Sequence, residues 1–239
     1  MKIQIIPCLK DNYSYLIIDE KDNIACVVDP SEAEPIIEYL EKTKIELKFI
    51  LNTHHHYDHV GGNQKLKEKY GASVVGYKDD KERIPGIDIL VNDQETWKHK
   101  NFEAKIIHIP GHTSGHICFY FSKDKIAFTG DTLFSLGCGR IFEGTYEQMF
   151  TSLNKLKKLP INTKIYCGHE YTLKNSMFCS QHEKNNKNLE KKIFEIKDKL
   201  KNNLPTIPST IGEELACNIF LRAKNLEDFS KLRDLKDNF

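Results

Sequence analysis

The feature that most constrains the fold is a cluster of histidines at the end of a predicted strand. The stretch IELKFILNT reads as a strand, and HHHYDH follows it directly. Alternate residues of an extended segment project the same way, so His54 and His56 are expected to share a side, with His55 opposite. Asp58 and His59 lie where the chain turns into a helix, so their side chains are expected to point to a second metal position a short distance away. Since imidazole and carboxylate groups bind zinc, iron and manganese, this segment is predicted to supply two ligands to each of two metals.

Three further segments, each following a predicted strand, supply the remaining ligands. IIHIPGHTSGH offers His112, AFTGDT offers Asp131 and YCGHEYT offers His169. An α/β fold collects its chemistry at such strand-to-loop transitions. The pattern therefore predicts a two-metal site in which Asp131 is the bridging carboxylate. The ligands of the first metal are His54, His56 and His112, and those of the second are Asp58, His59 and His169.

The other histidines are expected to lie outside metal coordination. His99, His108 and His182 read as hydrogen-bonded core or surface residues. His55 is expected beside the site or facing solvent. His116, in the HTSGH loop, is expected to hydrogen-bond that loop in preference to touching the site.

The rest of the chain indicates a mixed α/β fold for two-thirds of its length and helices thereafter. Ser31 and Glu34 have the spacing of a capping box before one helical stretch, as do Thr145 and Gln148 before another. After about Glu170 the strand patterns stop. The stretch KNLEKKIFEIKDKLKNN then carries apolar residues at helical spacing.

Composition and charge exclude several functions. Lys and Arg number 35 against 34 for Asp and Glu, so no global field points to nucleic acid or an acidic membrane. The first residues lack the apolar run of a signal peptide, and no stretch of 18 apolar residues predicts a membrane span. Seven cysteines without a CxxC pair favour free thiols in a reducing compartment, and so a cytoplasmic protein. A monomer is expected.

Four motifs, THHHYDH, PGHTSGH, FTGDTLF and CGHEY, resemble in that order those of the metallo-β-lactamase-fold hydrolases. Within that superfamily DNYSYLI, GDTLFSLGCGRIFEG, GHEYT, NIFLR and KLRDLKDNF resemble the glyoxalase II, or hydroxyacylglutathione hydrolase, family over essentially the whole chain. The resemblance implies an α/β fold, a four-layer αβ/βα sandwich forming a catalytic domain over residues 1–169. A small helical substrate-binding domain is implied over residues 170–239. The family's seven metal ligands fall on the seven residues named above.

The resemblance also implies which residues contact the substrate. Arg140 stands where the family has a basic residue, and Phe142 where several members have tyrosine. Tyr171 matches a substrate-contacting tyrosine of the family. Arg222 in NIFLR, with Lys224 close by, matches the basic pair of the helical domain.

The implied reaction is hydrolysis of S-D-lactoylglutathione, a 2-hydroxyacylglutathione thioester, to D-lactate and glutathione, which detoxifies methylglyoxal. A metal-bridging hydroxide is expected to attack the thioester carbonyl, with Asp58 and Asp131 as the catalytic carboxylates. Two divalent ions are expected, with zinc favoured over iron or manganese. Three alternatives are a mononuclear iron persulfide dioxygenase, a nuclease of the same fold and a non-catalytic metal-binding protein. The near-neutral charge balance disfavours the nuclease.

Overall fold

The computed structural model describes all residues, 1–239, and divides them into two compact units. The first unit comprises Met1–His108 and Gly115–Asp124, and the second comprises Ile109–Ser114 and Lys125–Phe239. The predicted division into residues 1–169 and 170–239 stays a prediction.

The first unit is built on a sheet of six strands that follow one another in sequence order. The strands are β1 (Lys2–Cys8), β2 (Asn12–Asp19), β3 (Ile24–Val28), β4 (Glu46–Leu51), β5 (Ser73–Tyr77) and β6 (Ile87–Val91). The first three strands pair antiparallel, and β3 to β6 pair parallel. Strands β2 and β3 are buried along their whole length, as expected of strands covered on both faces.

Helices and an antiparallel ladder complete the first unit. The helices are α1 (Glu34–Thr43), α2 (Tyr57–Val60) and α3 (Asn63–Tyr70). The ladder consists of β7 (Thr96–His99), β8 (Phe102–His108) and β9 (Ile117–Phe121). Ile36 and Leu40 of α1 and Leu66 of α3 are buried in the core formed with the six-stranded sheet.

The predicted capping box of Ser31 and Glu34 is wrong. The helix begins at Glu34, and Ala33 is its N-cap residue without a side-chain cap. Pro35 occupies the first turn, where its fixed φ suits a helix start and its missing N–H loses nothing. Ser31 instead donates its N–H to the Ser14 hydroxyl at 3.1 Å.

The second unit contains a short sheet, a hairpin and six helices. The sheet has the order β14 (Ser209–Thr210), β13 (Lys164–Cys167), β10 (Ile126–Gly130), and the hairpin joins β11 (Leu133–Phe134) to β12 (Gly137–Cys138). The helices are α4 (Tyr146–Leu156), α5 (Thr172–His182), α6 (Lys187–Lys201), α7 (Ile211–Cys217), α8 (Ile219–Arg222) and α9 (Leu226–Asp237). The predicted capping box of Thr145 and Gln148 is confirmed at the start of α4.

The prediction of a helical last third is confirmed, with one small exception. Only the two residues of β14 form a strand after Glu170. None of the helices combines the length and the apolar character that crossing a membrane requires.

Candidate metal centre

The histidine cluster occupies the turn between β4 and α2 in the first unit. His56 is the N-cap residue of α2 in an extended conformation, and α2 carries both Asp58 and His59. Behind the helix, a Cβ on Gly61 would lie 2.6 Å from the carbonyl oxygen of Ser31. A Cβ on Gly62 would lie 2.9 Å from the carbonyl oxygen of Pro30. Only glycine therefore lets the backbone pass this closely, and the turn is fixed by this packing.

The imidazole rings of the cluster lie side by side. The ring centroid of His54 is 4.8 Å from that of His56 and 4.1 Å from that of His59. His54 and His59 are at most 1% exposed. His55 turns away toward a carboxylate, with its Nδ1 3.4 Å from Oδ2 of the buried Asp80.

Three hydrogen bonds decide which nitrogens of these rings can bind a metal. The Thr53 hydroxyl donates to Oδ2 of Asp29 at 2.6 Å, so it accepts at 3.0 Å from Nδ1–H of His54. The same carboxylate lies 3.0 Å from Nδ1 of His59 and accepts a hydrogen bond from its N–H. Both rings therefore carry their proton on Nδ1 and present the Nε2 lone pair, which is the tautomer that a metal ligand requires.

Asp29 is a residue that the sequence reasoning missed. It is 2% exposed, follows β3 with a φ of 48°, and also accepts from the Thr53 N–H at 2.8 Å. Its oxygens lie within 4.8 Å of the ligand atoms of His54 and His59. Because three hydrogen bonds already engage this carboxylate, we assign it to orienting the imidazoles. The only signal in the sequence is an aspartate ending the strand NIACVVDP.

Asp29→Asn is expected to weaken metal binding by about 10- to 100-fold, the usual effect of removing a carboxylate behind a metal-ligating histidine. An amide has a single acceptor oxygen, so it cannot accept from the Thr53 N–H on one side and from the Thr53 hydroxyl and the His59 imidazole on the other, and this anchoring of the rings is disrupted. Competition with a chelator measures the affinity without reference to catalysis. Asp19→Asn is the matched control, because Asp19 is also buried but bonds Asn101. Equal affinities of the two variants would contradict the assignment.

The second unit carries the other three predicted ligands. Oδ2 of Asp131 lies 3.5 Å from Nε2 of His112 and 3.2 Å from Nε2 of His169. All three residues are 5–6% exposed. Two atoms that each lie 2.0–2.2 Å from one tetrahedral ion are about 3.4 Å apart, so these spacings suit shared coordination. Nδ1–H of His112 donates to the Arg140 carbonyl at 2.8 Å, which again directs Nε2 toward a metal.

The same geometry extends to Asp58 in the first unit. Its Oδ2 lies 3.6 Å from Nε2 of His59, and the amide of Asn12 donates to that oxygen at 3.0 Å. The Asp58 side chain is 38% exposed, so solvent reaches it more easily than the buried ligands. Asn12 therefore fixes the rotamer of a carboxylate that faces solvent. The donors of both units, neutral imidazole and carboxylate, fit divalent metals such as zinc, iron or manganese.

Among the remaining histidines, His116 differs from the prediction. Its completely buried ring stacks on that of His54, with centroids 4.6 Å apart, so it does touch the cluster. His99, His108 and His182 lie against aromatic rings: those of Phe49, Tyr77 and Phe178.

Three of the predicted substrate contacts lie beside the metal ligands of the second unit. They are Arg140, Phe142 and Tyr171. The ring of Tyr171 stacks on His169, with centroids 4.7 Å apart and an interplanar angle of 4°. The 62% exposed Phe142 meets His112 edge-on at 5.1 Å. Arg140 is exposed and its Nε lies 3.6 Å from Oδ1 of Asp237.

Arg222 and Lys224 lie along a shallow surface groove together with Glu183 and Ile219. The guanidinium of Arg222 forms an ion pair with Glu183, and it also donates to the Ala216 carbonyl at 3.3 Å. Binding a substrate carboxylate at Arg222 would therefore require its ion pair with Glu183 to open or to be shared. The basic pair that the resemblance implies stays a prediction.

A second basic pair, in α9, escaped the sequence reasoning. Arg233 is 3% exposed and donates to the Cys138 carbonyl at 2.7 Å. Nζ of Lys236 is buried without a hydrogen-bond partner, 5.0 Å and 4.8 Å from the ring centroids of Phe178 and Phe239. Burial, together with the nearby charge of Arg233, lowers the pKa of Lys236 to about 8. The RxxK spacing in KLRDLKDNF was the available signal, since i and i+3 share a helix face.

Two family models together match the chain from residue 10 to its end. The one described as the metallo-β-lactamase superfamily matches residues 10–169, and the one described as the hydroxyacylglutathione hydrolase C-terminus matches residues 170–239. The chain is 71% identical to a hydroxyacylglutathione hydrolase of Pelagibacter ubique (strain HTCC1062), over 100% of both chains. It is 44% identical to a hydroxyacylglutathione hydrolase of Methylococcus capsulatus, over 97% of this chain and 91% of the relative.

Among solved structures, the chain resembles that of ETHE1 from Myxococcus xanthus. The TM-score is 0.75 at 24% identity, over 98% of this chain and 90% of the other. At that identity the likeness concerns the fold alone.

Proposed function

This chain belongs to the hydroxyacylglutathione hydrolase family of the metallo-β-lactamase superfamily, and we propose that it hydrolyses S-D-lactoylglutathione to D-lactate and glutathione. The observation that carries the proposal is the 71% identity to a hydroxyacylglutathione hydrolase across the whole length of both chains. The same matches confirm the predicted metallo-β-lactamase-like α/β fold with a helical C-terminal region.

We propose that the two donor sets hold two divalent metals, with zinc favoured. His54, His56 and His112 would bind the first, Asp58, His59 and His169 the second, and Asp131 both. The Nδ1 anchoring of three of these rings and the 3.2–3.6 Å spacing of donor atoms within each unit support the proposal. When bound, two such ions supply an activated water and stabilise negative charge on a carbonyl oxygen.

Asp58 is the residue that we propose as the orienter of the attacking water. Asn12 holds its carboxylate beside Nε2 of His59, and the side chain is more solvent-accessible than those of Asp29 and Asp131. A carboxylate fixed in this way can accept a hydrogen bond from water and direct its lone pair. The leaving group is a thiolate, whose conjugate acid has a pKa of about 8.5. It departs without a dedicated general acid, and the chain needs none.

The tripeptide part of the substrate carries two carboxylates, which calls for cations on the protein. Arg140, Phe142 and Tyr171 lie beside the ligands of the second unit and are proposed to contact it. The resemblance adds Arg222 with Lys224, and the structure offers the α9 pair as an alternative. A buried ammonium without a hydrogen-bond partner, such as that of Lys236, is stabilised by an incoming carboxylate. In contrast, Glu183 already neutralises Arg222.

Lys236→Ala is expected to raise KM for S-D-lactoylglutathione about tenfold or more with kcat little changed. The lost charge-assisted contact is worth roughly 1.5–3 kcal/mol, and it exists equally in the ground and transition states. Arg222→Ala is the matched comparison. A rise in KM confined to Arg222→Ala would favour the pair implied by the resemblance and contradict the role of α9.

The pH dependence provides a second measurement on the same variants. The ammonium of Lys236 loses its charge as the pH rises through about 8, so kcat/KM of the unmodified enzyme is expected to fall there. This fall should be smaller in Lys236→Ala. A small lactoyl thioester without the tripeptide should show no difference between the two proteins.

The decisive experiment is release of free thiol from S-D-lactoylglutathione together with metal analysis of the same sample. Two metal ions per chain are expected, with one free thiol released for each thioester hydrolysed. One iron per chain with oxygen consumption would favour the persulfide dioxygenase alternative. We also propose a monomer in the cytoplasm; seven buried free cysteines support a reducing compartment, and light scattering tests the monomer.

A further inference from the structure

The segment between Asp131 and Arg140 is a hairpin too short to stabilise itself. Its strands β11 and β12 have two residues each and form two residue pairs. The hairpin is nevertheless fully buried, so its backbone groups need partners other than water. The tip residue Leu136 has a φ of 59°, a left-handed conformation that is unfavourable for leucine. Such strain persists only where surrounding groups enforce it.

Side chains from the helices of the second unit supply those partners. Nδ2 of Asn175 donates to the Ser135 carbonyl at 3.1 Å, and Sγ of Cys179 donates to the Leu136 carbonyl at 3.2 Å. On the second strand, Nδ2 of Asn218 donates to the Gly137 carbonyl at 3.1 Å. Arg233 bonds the Cys138 carbonyl beyond it. Apart from the Thr129 hydroxyl of β10, which donates to the Leu133 carbonyl at 2.7 Å, the hairpin is therefore held mainly by side chains of the helical region.

Glu214 is the centre of this arrangement. Its carboxylate is 0% exposed and accepts from the Leu136 N–H at 2.8 Å and from Nδ2 of Asn218 at 2.9 Å. It thus binds the strained residue directly and orients the amide that holds the second strand. Burial raises the pKa of Glu214 to about 7, which reflects the unfavourable free energy of placing a carboxylate there. Its hydrogen bonds go to the hairpin and to Asn218, and none of them joins a predicted metal ligand.

The hairpin leads directly to residues that touch the metal ligands. A Cβ on Gly139 would lie 1.8 Å from the Asp131 carbonyl oxygen, so the two backbones are in close contact. The next carbonyl, that of Arg140, accepts from His112 at 2.8 Å, and the Phe142 N–H donates to the His112 carbonyl at 3.3 Å. Because these hydrogen bonds hold both backbones at His112, a shift of the hairpin would change where the Arg140 and Phe142 side chains lie without displacing His112.

We propose that Glu214 is a positioning residue that, through the Leu136 N–H, holds this hairpin so that Arg140 and Phe142 meet the glutathione part of the substrate. The inference rests on the proposed function for the identity of the substrate. It predicts that Glu214 affects recognition of the tripeptide and leaves the metal ligands in place.

The test uses Glu214→Ala in the full-length metal-loaded protein. KM for S-D-lactoylglutathione is expected to rise about tenfold or more, since small misplacements of binding groups have large effects. Metal content and kcat/KM for a small lactoyl thioester are expected to be unchanged. Amide hydrogen exchange is expected to show lost protection over residues 133–140. Glu214→Gln retains an acceptor for the Leu136 N–H and should restore the unmodified KM and exchange.

Glu213→Ala is the matched control, because the neighbouring Glu213 bonds Lys192 and Thr210 instead of the hairpin. If Glu214→Ala does not fold, Glu214→Asp replaces it, because the shorter side chain withdraws the carboxylate from the Leu136 N–H by less. This variant should give a smaller rise in KM and a partial loss of exchange protection.

Unchanged KM and unchanged hydrogen exchange would overturn the proposal, as would equal losses of activity on both thioesters together with loss of metal. Unmodified protein that releases no thiol would overturn the proposed function, while exchange would still decide whether Glu214 holds the hairpin.

Discussion

Asp131→Asn is expected to remove metal retention and thioester hydrolysis together. Oδ2 of Asp131 lies within 3.5 Å of Nε2 of both His112 and His169, in a pocket where the side chain is almost fully buried. A neutral amide keeps the shape but cannot offset the charge of two dications. Replacing a residue behind the ligands already lowers affinity or activity 10- to 100-fold, so loss of this ligand should lower both at least about a hundredfold.

The measurement is metal content per chain alongside thiol release, on one preparation. Asp198→Asn is the control, because Asp198 lies on α6 in the same unit and bonds the neighbouring Asn202. It should leave both quantities unchanged. An Asp131→Asn variant that keeps two metals and near-full activity would show that Asp131 does not bridge. Retention of one metal with full activity would favour a mononuclear site.

The sequence was enough to predict those elements whose structure depends on local pattern and chain order. Strand β4 ends directly before the histidine cluster, β10 before Asp131 and β13 before His169, as the apolar runs predicted. Short apolar runs predict the strands of such a fold, and the spacing of the histidines and aspartates that follow them predicts the ligands. The helix α4, with its capping box, is equally local.

The sequence did not suffice where partners are distant in the chain. Asp29 reaches Thr53 and His59 because β3 pairs in parallel with β4, and no local pattern encodes that pairing. Likewise Glu214 acts on Leu136, which lies 78 positions earlier. A carboxylate in a helix reads as a surface residue until packing shows otherwise. The failed capping box has a local cause in Pro35, since a helix accepts proline in its first turn and α1 accordingly begins at Glu34.

The environments of His55 and His56 explain why two adjacent histidines should differ in importance. The ring of His56 lies 4.8 Å from that of His54, within the cluster. Nδ1 of His55 faces the buried Asp80, which also forms an ion pair with Arg83. Loss of the His55 ring therefore leaves the Asp80 charge compensated by Arg83.

His56→Ala is accordingly expected to lower metal content and thiol release at least about a hundredfold, by the same reasoning as for Asp131. His55→Ala should keep its metals, with a modest loss of stability from the weakened packing around Asp80. The two variants differ by one position in the chain and remove the same group, so each is the control for the other. Metal analysis of both after extensive dialysis is the measurement. Equal loss of metal from both would mean that the side chains do not alternate through the cluster, and that His55 belongs among the ligands.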